Sequence, residues 1–134
     1  MSVHVGRELT GEIVAVLEAG GLTVGRGEAP GSVPAGSGYA VVYPFGGTLE
    51  GDLDDPQEDA NVTYQVGSFG SDPQQTEWVS DRVRVILLAA EIVLSGRVVQ
   101  QIEQEYVAPI VRDDDVQPPV WAQPNLYRIW TVST

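Results

Sequence analysis

One histidine, His4, stands near the start of the chain, and no cysteine occurs. A serine–histidine nucleophile or a histidine-centred metal site would have to be built around that single imidazole. The chain has no nucleophile-elbow glycine pattern and no second soft ligand to accompany it, so His4 reads as a surface or helix-start side chain. The acidic run Glu50-Gly51-Asp52-Leu53-Asp54-Asp55 could converge carboxylate oxygens on calcium, a hard cation that takes oxygen ligands. Its spacing is not that of an EF-hand, because Pro56 follows closely and the required glycine and closing glutamate are misplaced. A solvated acidic loop is the better reading, and Asp113-Asp114-Asp115 reads the same way, with Arg112 as a local partner. None of the acids lies in an apolar run that would raise its pKa for acid–base work. The glycines between Gly25 and Gly38 lack the lysine and the following helix of a phosphate loop. The sequence therefore predicts no catalytic constellation, no cofactor and no metal, and a protein that is not an enzyme.

What must hold such side chains is a single domain spanning residues 1–134, a length at which one hydrophobic core is the ordinary outcome. Hydrophobic residues at 43% against charged residues at 19% supply enough apolar material to order the backbone. Without cysteine, the core or subunit contacts must stabilise the fold unaided. The apolar stretch from Val83 to Leu94 is interrupted by Arg84 and Glu91, and the first residues carry no basic-then-apolar pattern, so a soluble, unsecreted protein with no membrane partner is expected. The formal net charge is −12, and all seven positive residues are arginine. A surface so acidic cannot release counterions from phosphates, which excludes specific nucleic-acid binding as an expectation.

Val5, Leu9, Ile13, Val16 and Leu17 fall on one helical stripe, and Gly20-Gly21 follows them, which predicts a helix over Val3 to Ala19. Leu22 to Arg26 is β-like, Gly27 to Gly38 is a loop, and Tyr39 to Tyr43 is a buried strand closed by Pro44. From Phe45 to Asp59, glycines, Pro56 and six acids predict a long exposed loop. Val62, Tyr64 and Val66 alternate with polar residues, as in a strand with one face buried and one exposed. Asp72-Pro73-Gln74-Gln75 is a helix start, and the apolar spacing beyond it predicts a helix over Pro73 to Leu94. That helix is apolar well past one stripe, with Trp78, Val85, Leu88 and Ile92 added to Val79, Val83, Ile86 and Leu87, so cover on more than one side is expected. Residues 98–112 fit a frayed helix and two short strands equally well. Pro118-Pro119 and Pro124 frame a second irregular region, and Leu126 to Val132 is a final strand.

This order predicts an α+β fold, a mixed and mostly antiparallel sheet with two helices packed on one face. The predicted core is Leu9, Ile13, Leu17, Trp78, Val83, Ile86 and Leu87. The unusual feature is how much chain goes into long Gly-, Pro- and acid-rich connections. With no chemistry in them, contact with other subunits is their expected use. Glu50, Asp52, Asp54, Asp55, Arg112, Asp113 and Trp121 are the candidate assembly-interface residues; Trp121 and Tyr127 have the character of interface anchors and equally that of aromatics packed on proline within one subunit.

Gln75-Thr76-Glu77-Trp78-Val79-Ser80-Asp81-Arg82-Val83-Arg84, directly after a strand ending near Ser68, resembles tail terminator proteins of long-tailed phages that infect actinobacteria. Arg112-Asp113-Asp114-Asp115, followed by Pro118-Pro119-Val120-Trp121 and a closing Tyr127-Arg128-Ile129 strand, is similar to the same family. The resemblance covers most of the chain through short, degenerate motifs. It implies a structural virion protein, made in the host cytoplasm, that forms a ring with itself, typically of six subunits. The ring would end polymerisation of the tail tube at its head-proximal end and join the tail to the head-connector or stopper protein, with DNA passing through. Another head-to-tail connector or neck protein would share this size and acidity, and a small ligand-binding domain would instead need a pocket with convergent polar groups.

Overall fold

The computed structural model describes residues 5–33, 36–43, 49–50, 60–115 and 118–133. The first helix, α1 (Val5–Ala19), buries Leu9, Ile13 and Leu17 completely, as their spacing requires. It stops where Gly21 takes φ 93°, which lets the Gly21 and Leu22 N–H groups return to the Glu18 and Leu17 carbonyls at 3.0 and 3.3 Å. The second helix, α2 (Pro73–Leu88), starts as its sequence predicts. Asp72 accepts from the Gln75 N–H at 2.7 Å, and the Gln75 side-chain oxygen accepts in return from the Ser71 N–H at 2.8 Å.

α2 is shorter than the predicted Pro73 to Leu94. After Ala89 the chain leaves the helix, and Val93–Leu94 becomes a strand that turns back through Gly96, at φ 73°. Ile92 and Leu94 are buried while Val93 is 71% exposed. Residues spaced by two satisfy a strand as well as the edge of a broad helical face, so period alone could not separate them.

Eight strands form one sheet: β1 (Val24–Arg26), β2 (Tyr39–Tyr43), β3 (Leu49–Glu50), β4 (Ala60–Gly70), β5 (Val93–Leu94), β6 (Arg97–Tyr106), β7 (Val111–Asp113) and β8 (Val120–Ser133). The order is β1-β2-β4-β8-β6-β5, with β3 beside β4 and β7 beside β8. β1 and β2 are parallel and every other pair is antiparallel. The α+β expectation is thereby corrected: among the described residues strand accounts for 44% and helix for 28%, and the sheet curls into a half-barrel carrying two helices. The sheet outgrew the expectation because most of residues 98–112 belong to β6 and β7, and because β4 and β8 run far past the apolar alternations that revealed them. Long twisted strands, with register shifts in β6 at Val99/Gln101 and Gln104/Tyr106, bend a sheet rather than leave it flat.

The core joins Leu9, Ile13 and Leu17 of α1 to Val79, Val83 and Leu87 of α2 and to Ala40, Val42, Val62, Tyr64, Val66, Tyr127 and Ile129 of the sheet. Ile86 packs against this cluster half-buried. Two expectations about exposure fail. Trp78 is 56% exposed rather than buried, because it lies on the stripe of α2 opposite Val79, Val83 and Leu87. The polar side of β4 is not open either: Asn61 and Thr63 are buried, and the Thr63 hydroxyl donates to Glu105, two strands away, at 3.2 Å. Pro124, expected in irregular chain, lies within β8 where that strand passes from its β7 partner to its β6 partner.

Candidate assembly surfaces

β7 and β8 pair with Arg112 opposite Trp121 and Asp113 opposite Val120, so three of the residues proposed from sequence share one hairpin. The Arg112 guanidinium meets Asp114 at 2.7 Å, both side chains being more than half exposed, and Asp113 accepts from the Asp115 N–H at 3.0 Å. An ion pair that exposed contributes little to stability. Trp121 is half-buried, and its carbonyl accepts from the Thr76 hydroxyl at 3.1 Å, which ties the hairpin to the first turn of α2. Beside it Tyr39 and Phe69 stack at 4.9 Å with an interplanar angle of 9°. Burial, with the nearby Tyr43 and Asp113, raises the Tyr39 hydroxyl above its ordinary pKa.

The connection into β7 is pinned from below. Asn125 accepts from the Ala108 N–H at 2.9 Å and donates to Ser80 at 2.8 Å, while Gln123 donates to the Ala108 carbonyl at 2.8 Å. Satisfying buried amides in this way holds the connection in one geometry. Tyr106, Val107 and Val111 are 53%, 58% and 51% exposed, and Val111 adjoins Arg112 in β7. Exposed apolar side chains of this kind suit a contact surface.

Glu50 lies elsewhere. Its strand, β3, pairs with β4 at Glu50↔Asn61, and Asn61 pairs in turn with Trp130 of β8, whereas Trp121 pairs with Gly70. At about 3.4 Å per residue, the Trp121 and Trp130 ends of β8 are roughly 30 Å apart. The candidate residues thus divide between opposite ends of the β4–β8 pair. Asp52, Asp54 and Asp55 lie outside the described residues, as does His4; of the predicted loop Phe45 to Asp59, only Leu49–Glu50 is described, and it is a strand. Tyr127 is not an anchor at all: it has no exposure, and burial pushes its hydroxyl up to about 12.

Two further surfaces stand open, the first of them on α2, whose broad apolar face predicts cover on a second side. Trp78, Val85 and Leu88 line the outward side of α2 at 56%, 55% and 42% exposure, and their i, i+7, i+10 spacing was the available signal. Trp78 also walls a cleft of about 420 Å³ with Gly21–Thr23, Gly36–Gly38 and Gln75, where the Gln75 amide donates to the Gly36 carbonyl at 2.6 Å. The other is the sheet face turned away from the core. Tyr39, Tyr43, Phe69, Leu126, Arg128 and Trp130 are half-buried on it, and Arg128 lies over the Trp130 ring at 5.8 Å while pairing with Glu105 at 2.6 Å. The Arg128 Nε and the Trp130 indole N–H are buried there without a hydrogen-bond partner. Among the described residues no group of three His, Cys, Asp or Glu side chains is placed to hold a metal ion, and no helix is long and apolar enough to cross a membrane.

No protein-family model and no curated protein matches the chain. Among solved structures, the fold is similar to a chain from a structure titled "Virion of native gene transfer agent (GTA) particle", with a TM-score of 0.59 over 91% of this chain and 90% of that one. At 16% identity the likeness is one of fold.

Proposed function

We propose that this chain is a non-enzymatic structural protein of a phage-like virion, and specifically the terminator of its tail tube. The observation that carries this reading is the fold shared with a virion-particle chain over nearly the whole of both chains. The division of the candidate residues between two ends of the long strands supports it, since a terminator must meet the tube on one side and the head connector on the other. The charge of −12 supports it as well, because a DNA conduit should not retain the genome it passes. Subunits that end a cylinder must match its symmetry, and head-to-tail contacts that close make rings rather than filaments. The self-partner is therefore a closed ring, typically of six, and the other partners are the tail tube protein and the connector or stopper protein.

The test is negative-stain imaging of the purified protein, alone and with isolated tail tubes. Rings seated on one end of each tube are expected. A protein that binds head particles and ignores tubes belongs to the neck instead, and one that forms no ring in the presence of tubes is not a terminator. Deleting residues 51–58 removes Asp52, Asp54, Asp55 and Glu58 and none of the described core, so the variant should unfold as cooperatively as the parent yet cap tubes poorly. Normal capping by that variant would take this segment out of the contact.

A further inference from the structure

Among the described residues, the sheet has one long strand edge with no neighbour. β6 pairs with β8 along its length, but on its other side β5 reaches it only at Val93↔Val98 and Leu94↔Arg97, with one further bond from the Val99 N–H to the Ile92 carbonyl at 2.9 Å. From Gln100 to Tyr106 that side has no strand partner among the described residues. Alternate residues there turn an N–H and a C=O outward, a template for another strand. The two register shifts bracket Gln101–Gln104 and leave it regular, and no lysine or proline guards it.

A groove of about 590 Å³ follows this edge, lined by Ile102, Glu103, Gln104 and Glu105 of β6 and by Arg84 and Leu88 overhanging from α2. On the helix side Ile102 and Gln104 sit opposite Ile129 and Tyr127, and Leu88 is 42% exposed. On the other side Glu103 and Glu105 form an acidic row. Glu105 already holds Arg128 at 2.6 Å, whereas Glu103, the register partner of Arg128, accepts the Gln101 amide at 3.1 Å and makes no salt bridge among the described residues.

We propose that this edge receives an extended strand from a different chain, one that alternates apolar and basic residues, the apolar ones toward Leu88 and Ile102 and a basic one opposite Glu103. Main-chain bonds to β6 would supply affinity, and the two side-chain rows would supply selection. A second copy does not meet the description. The chain has no lysine, and its one pair of arginines two residues apart, Arg82 and Arg84, is in α2. This holds or fails apart from the terminator reading, because the test needs no tail tube.

A fluorescent nonapeptide alternating valine and lysine is titrated into the full chain, with a valine–glutamate peptide as control. The lysine peptide is expected to bind, the glutamate peptide not, and amide exchange should slow across Gln100–Tyr106. Methylating one alternate set of peptide nitrogens should abolish binding, and methylating the other set should leave it. Glu103→Lys should weaken binding by roughly tenfold, as reversing a cross-strand charge pair does, while Glu77→Lys, an equal change on the exposed face of α2, should not. Should Glu103→Lys unfold the chain, Glu103→Gln gives the same reading with a smaller loss. No binding, equal losses at both positions, or protection around Trp78 instead overturns the proposal. Protection of the same amides without peptide, rising with protein concentration, assigns the edge to a second copy and overturns it too.

Discussion

Tyr127 has no exposed surface, and its hydroxyl is held up to about 12 by burial first and by the charge of Asp81, against the opposing pull of Arg84 and a 3.3 Å bond from Gln104. In the unfolded chain a tyrosine loses its proton near pH 10. The folded pKa is the higher one, so the contribution is complete below about pH 10 and is lost as pH rises toward 12, amounting to about 3 kcal/mol at most. Urea midpoints should stay level between pH 7 and 9 and fall beyond 10, and Tyr127→Phe should remove most of that fall. The Tyr64 hydroxyl, also raised by burial and bonded to Thr10 at 2.7 Å, accounts for a remainder. If Tyr127→Phe keeps the whole alkaline loss, the burial argument for this phenol is wrong.

Between elements, β4 meets the start of α2 at close range. A Cβ at Gly70 would lie 2.7 Å from the Thr76 backbone nitrogen and 2.8 Å from its hydroxyl oxygen, the same hydroxyl that bonds the carbonyls of Asp72 and Trp121. Backbone cannot step aside as a side-chain tip can, so Gly70→Ala should cost about 1–3 kcal/mol, in the range of overpacked cores. Gly31, where an added Cβ meets nothing within 4 Å, is the control. A lower urea midpoint with unchanged slope is expected for Gly70→Ala, and none for Gly31→Ala. Equal stability of the two variants would show that α2 is not seated on β4 as tightly as the contacts require.

For the molecule taken whole, charge bears on the proposed ring. Copies that each carry −12 oppose their own approach, and the Debye length shortens from about 10 Å at 0.1 M salt to about 3 Å at 1 M. Ring formation should therefore strengthen as salt rises, measured by sedimentation, while binding of a basic strand at β6 should weaken. A ring that dissociates with added salt would mean that its contacts are ion pairs, and would point back to Arg112 and Arg128 rather than to apolar patches such as Tyr106, Val107 and Val111.

Features that depend on near neighbours were legible in the order of residues. Leu9, Ile13 and Leu17 share a stripe because of the helical period, Asp72 and Pro73 start α2 because capping reaches only three residues, and Tyr39–Tyr43 is a strand wherever it lies. The acidity follows from composition, but the hairpin that joins Arg112, Asp113 and Trp121 was not legible, because that stretch reads as an acidic loop and irregular proline-rich chain. Tertiary structure alone decided the rest. Trp78 and Val83 are equally apolar on one helix, and only the side on which the sheet packs makes one exposed and the other buried. Tyr127 became core, and Glu50 was set at the far end from Trp121, because β4 pairs with β8 across more than fifty residues of sequence. The open edge of β6 exists because β5 is too short to cover it, a matter of strand order that no local period encodes.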